Sequence, residues 1–91
     1  MPRYMVERYL PGITNEQLVA AATRAKTTTA QMTSEGTPIR YLRSVFVPGE
    51  DKCFCMFDGP SAEKVREAND RAEIPYERVV EAEFVESEDL T

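Results

Sequence analysis

Five side chains stand out as candidates for ligation or acid–base work: Glu7, Arg43, Cys53, Cys55 and Glu83. Cys53 and Cys55 stand one residue apart, and on an extended strand their side chains point the same way. Such a pair offers two soft ligands to a metal. A structural zinc site takes four ligands and the chain has no histidine, so two thiols packed as small buried hydrophobes are the competing reading. Cysteines at i and i+2 of an extended chain are poorly placed for a disulfide, and both thiols are expected to be reduced. Arg43 could hold a carboxylate, phenolate or enolate oxygen through paired hydrogen bonds, with Glu7 or Glu83 as the base. With no histidine and four scattered glycines, the chain has neither a nucleophile triad nor a phosphate-cradling loop.

Local patterning sets the strands and helices that carry them. The run Asp51 to Asp58 is aromatic and sulfur-rich, as suits a buried strand; Gly59-Pro60 stops it, and Ser61 can cap a helix carrying Val65, Ala68, Asn69 and Ala72. Upstream, Arg3 to Tyr9 reads as a strand, and Thr14 with Gln17 forms a capping-box pattern. Leu18, Ala21, Ala25, Thr29 and Met32 then recur at helical spacing, while Thr27-Thr28-Thr29 predicts a bend or early end near Ala30. Strands are expected near 3–9, 39–47, 51–58 and 78–86, and helices near 14–34 and 61–72. The order β-α-β-β-α-β is the ferredoxin-like α+β arrangement, an antiparallel four-stranded sheet with both helices on one face. One domain over 1–86 and an acidic, flexible tail over 87–91 complete the expectation.

Alternation along the strands then distributes side chains between the faces. Val6, Leu42, Phe54, Met56, Ala82 and Phe84 are expected toward the helices. Glu7, Arg43, Cys55, Glu81 and Glu83 then fall on the open face, with Tyr9, Tyr41 and Phe57 walling a ligand pocket there. That face needs a cover, and a homodimer supplies one. Its charges are read either as an Arg–Glu network across the dimer or as the lining of a small-molecule site. A net charge of −5 with no basic cluster argues against nucleic acid. The early charges of Arg3, Glu7 and Arg8 and the lack of a long apolar run argue against a signal peptide or membrane span, so a cytoplasmic location is expected.

Three stretches carry a resemblance that spans nearly the whole chain. They are Tyr4-Met5-Val6-Glu7-Arg8, the run Asp51 to Phe57 with Pro60 behind it, and Val65-Arg66-Glu67 through Ile74-Pro75 to Arg78-Val79. Together they resemble a family of small ferredoxin-like domains of unknown function, often described as nickel-binding proteins and similar in architecture to dimeric α/β-barrel proteins. The resemblance implies nickel as a ligand. Members commonly carry histidines at the positions held here by Arg43 and Ala68, and of that pattern Glu7 and Cys55 remain. An arginine cannot ligate. The expectation is a dimeric binding protein with a degenerate metal site and no cofactor. The alternative is a cofactor-free isomerase, cyclase or oxygenase of the dimeric α/β-barrel type that uses Arg43 and Glu7.

Overall fold

The computed structural model describes the chain from Met1 to Thr91. Strand β1 (Arg3–Tyr9) leads into helix α1 (Asn15–Ser34), followed by the hairpin strands β2 (Arg40–Val47) and β3 (Lys52–Asp58), helix α2 (Ala62–Arg71) and a short strand β4 (Arg78–Glu81). All pairings are antiparallel and the sheet order is β2-β3-β1-β4. This is the ferredoxin-like arrangement, an α+β fold.

Each helix is fixed by its ends. Thr14 and Gln17 make the full capping box of α1, and the Ser61 hydroxyl accepts from the Lys64 N–H at the start of α2. Both helices end in the double bond pattern of a Schellman turn. At α1, Thr37 N–H donates to the Met32 carbonyl and Gly36 N–H to that of Thr33. At α2, Ile74 N–H donates to Asn69 and Glu73 N–H to Asp70, which puts the non-glycine Glu73 at φ 56 in the left-handed region.

The threonine run does not break α1, contrary to expectation. The Thr29 hydroxyl donates to the Ala25 carbonyl and accepts from the Tyr41 N–H of β2, while Thr33 is bonded to both the carbonyl and the N–H of Ile39. The β-branched residues therefore tie the helix to the edge strand, and this tertiary gain outweighs their weak helical preference.

Strand β4 ends at Glu81 instead of Glu86. Its partner limits it: Tyr4 pairs with Glu81, the Ala82 N–H reaches the Arg3 carbonyl, and β1 offers nothing further. From Ala82 the chain turns across the open face of the sheet. The Arg3 guanidinium lies over the Phe84 ring at 5.1 Å, and Glu86 pairs with Arg43 on the far edge strand at 3.3 Å. Residues Ser87–Asp89 form one turn of 3-10 helix.

The core lies between the sheet and the helices, built from Tyr4, Val6, Cys53, Cys55 and Phe57 below and Ala21, Ala25, Met32, Val65 and Ala68 above. Two face expectations are corrected here. Cys55 faces the helices, and since Val6 pairs with Cys55 while Met5 pairs with Met56 and Glu7 with Phe54, the side chains of Met56 and Phe54 belong to the open face. Phe57 is fully buried and meets the Tyr41 ring edge-on at 5.6 Å, so these two aromatics belong to the core side and only Tyr9 is exposed. A register shift between Tyr41 and Arg43 lets Tyr41 and Ser44 both turn inward while Arg43 stays out. No helix is long and apolar enough to cross a membrane.

Candidate functional site

The polar chemistry separates onto the two faces of the sheet. On the helix side, period-two alternation from Tyr4 and Val6 carries Arg8 into the core, where it is 1 % exposed. Its guanidinium is held at three points: Nε donates to the Cys55 sulfur at 3.3 Å, one terminal nitrogen to Asn69 Oδ1 at 2.6 Å, and the other to the Pro75 carbonyl at 3.3 Å. Asn69 is itself fixed by its amide bond to the Val65 carbonyl one helical turn back. No carboxylate is among the partners of Arg8.

The thiols complete this cluster. The Cys53 and Cys55 sulfurs are 3.7 Å apart, and the Ser44 hydroxyl, itself 2.7 Å from the Tyr41 hydroxyl, is 3.0 Å from the Cys55 sulfur. The hydrogen bond with Cys53 lowers the Cys55 thiol to about 5, with the Arg8 charge and the Ser44 hydroxyl acting in the same direction against burial. Cys53 is pushed the other way, by that same bond to the Cys55 sulfur and by burial. The two sulfurs are thus driven apart in acidity beside one fixed guanidinium, Cys55 toward the charged form and Cys53 away from it. Burial raises the Tyr41 phenol, partly offset by its bond to Ser44.

The open face carries a different pattern. At one end Asp58 is bracketed by Arg3 at 3.0 Å and Arg40 at 2.9 Å; at the other, Glu7 is bracketed by Lys52 at 2.6 Å and Arg78 at 2.7 Å. Both Glu7 carboxylate oxygens are engaged, and the hydrogen bonds from Lys52 and then Arg78 hold its carboxyl below the ordinary range. Between the ion networks lie Met5, Phe54, Met56 and Val45, with Arg43 paired to Glu86 of the crossing segment.

The candidates named from sequence are thus divided. Cys53 and Cys55 sit together, but Glu7 is on the other face, and no three or more His, Cys, Asp or Glu side chains gather where they could hold an ion. Arg43 and Glu7 share a face but stand on strands separated by β3 and are each paired elsewhere. Glu83 is exposed in the segment after β4. The positions of Arg43 and Ala68 also fall on opposite sides, one exposed on β2 and the other on the buried face of α2. Sequence reasoning missed Arg8, Asn69 and Ser44. The signal was present for Arg8, because it shares the parity of Tyr4 and Val6.

The match to a family model decides the relationship. Residues 4–82 fit the model described as nickel responsive protein SCO4226-like. The chain belongs to this SCO4226-like family. A crystal structure of SCO4226 from Streptomyces coelicolor A3(2) superposes with a TM-score of 0.75 at 21% identity, covering 92% of this chain and 99% of that one. The shared fold is therefore established across nearly the full length of both. Comparison with curated protein sequences gives no match. A metal ion held through Cys55 of this chain would have to displace or sit beside the Arg8 guanidinium. The donor set here, two thiols beside a fixed positive charge, does not fit a divalent cation.

Proposed function

We propose that this chain is a small cytoplasmic homodimeric binding protein of the SCO4226-like family whose metal site is degenerate. The observation that carries the reading is the Arg8 guanidinium 3.3 Å from the Cys55 sulfur. A cation already occupies the place where a thiolate would meet a metal, and a guanidinium cannot be deprotonated to make way. Glu7, the other retained residue of the pattern, is saturated by Lys52 and Arg78 on the far side of the sheet.

The homodimer is supported by the open face. Its centre is apolar, with Met5, Phe54, Met56 and Val45, and an ion network stands at each end. Two copies packed through that region would bury the apolar centre and keep the charges at the rim, as interfaces do. The binding reading is tested by competing the reduced protein for nickel against a coloured chelator. Retention of the metal by the chelator at equimolar protein is expected; stoichiometric transfer to the protein would overturn the reading.

A further inference from the structure

Residues 82–86 cross the open face with burial that alternates along the chain. Ala82, Phe84 and Glu86 are half-buried against the sheet. The Ala82 N–H donates to the Arg3 carbonyl at 2.9 Å, the Phe84 ring meets the Arg3 guanidinium, and Glu86 pairs with Arg43. Glu83 and Val85 turn the other way, and Val85 is 74% exposed. The segment is therefore a strap with two rows of side chains, an inner row on its own sheet and an outer row facing away from it.

Strap and sheet are opposite in charge. The strands present Arg3, Arg40, Arg43, Lys52 and Arg78 to the open face against two carboxylates, Glu7 and Asp58, although the chain as a whole carries −5. Residues 82–91 hold Glu83, Glu86, Glu88 and Asp89 and no Lys or Arg. Two bare faces brought together would set cations against cations around the apolar centre, which opposes association. With the straps in place, anions lie between the two sheets.

We propose that the strap is the docking element for a second copy of this chain. Each copy keeps Phe84 and Glu86 on its own sheet and offers Val85 and Glu83 to its partner, Val85 to the apolar centre of the facing sheet and Glu83 to the cations that flank that centre. The proposal rests on the homodimer reading and names the residues that make the contact. In a two-fold dimer the contact is reciprocal, so each substitution in the outer row acts twice. The anchors of the strap within one copy are a single cation–π contact and an exposed ion pair, both weak in water. Enclosure between two sheets removes water from them and strengthens both.

The test is sedimentation equilibrium of the full chain at micromolar concentration beside three full-length variants, each checked for an unchanged far-ultraviolet spectrum. Val85→Asp and Glu83→Lys alter only outward side chains, and each is expected to weaken dimerisation about tenfold. Glu86→Arg sets like charges together at Arg43 and frees the strap. It is expected to weaken dimerisation as well, and added salt should restore part of the loss by screening the two cationic faces. A dimer indifferent to both outer-row substitutions, or one that tightens in Glu86→Arg because the strap stood in its way, overturns the proposal while the homodimer stands. A wild type that stays monomeric removes the homodimer reading and the proposal with it.

Discussion

Arg8 and Cys55 face each other across adjacent strands of the core, guanidinium to sulfur at 3.3 Å, with no carboxylate at the arginine. Taking the charge off either partner leaves the other buried and uncompensated. Because the folded-state value of Cys55 is depressed to about 5, its contribution to stability is fully present above the unfolded thiol range of about 8.5 and is lost as pH falls through the folded value. Denaturant midpoints measured from pH 8, below the range where the raised Cys53 thiol begins to oppose it, down to pH 5 should decline in the wild type, and the decline should be flatter in Cys55→Ser. Parallel curves for the two proteins would contradict the ion pair.

Asn69 is the second support of the same guanidinium. Asn69→Ala removes the acceptor at 2.6 Å and the bond to the Val65 carbonyl, and an unsatisfied buried donor costs about 1–3 kcal/mol. Chemical denaturation should show a loss in this range. Asn69→Asp, which places a carboxylate on Arg8, should lose less than the alanine variant.

Glu73 holds a left-handed conformation at the end of α2 with φ 56, and no ion pair engages its side chain. A non-glycine residue there carries strain that glycine does not. Glu73→Gly is expected to stabilise the protein by about 0.5–1 kcal/mol, the relief exceeding the added freedom of the unfolded chain. A lower melting temperature in this variant would contradict the turn assignment.

The homodimer is checked by sedimentation at micromolar concentration, where twice the 10.3 kDa chain mass is expected. Met56→Asp places a charge at the centre of the open face and should give the monomer with an unchanged far-ultraviolet spectrum. If the wild type sediments as a monomer, the interface is absent.

The order of elements was legible because each is marked locally: Thr14 with Gln17, the Gly59-Pro60 stop and Ser61 all fall where the structure uses them. The faces of β3 were not. The run Cys53-Phe54-Cys55-Met56-Phe57 is apolar at every position, so alternation gives no phase, and only the register with β1 and β2 decides it. The end of β4 was hidden for a related reason, since Arg78 to Glu86 reads as a strand while the length of β1 sets where pairing stops. The site suffered from both. Assigning Cys55 to the open face put it beside Glu7 and Arg43, and the partner it actually has, Arg8, was left out. Asn69 was counted as part of a small-residue helix face, whereas its amide connects α2 to that arginine.

Calorimetric titration of nickel into the reduced wild type and Cys55→Ser tests the central claim most directly. Arg8 on the Cys55 sulfur and the saturation of Glu7 predict no stoichiometric binding by either protein at neutral pH. Tight one-to-one binding by the wild type, accompanied by proton release and abolished in Cys55→Ser, would contradict it, because it would show a thiol at this position acting as a metal ligand in spite of the guanidinium.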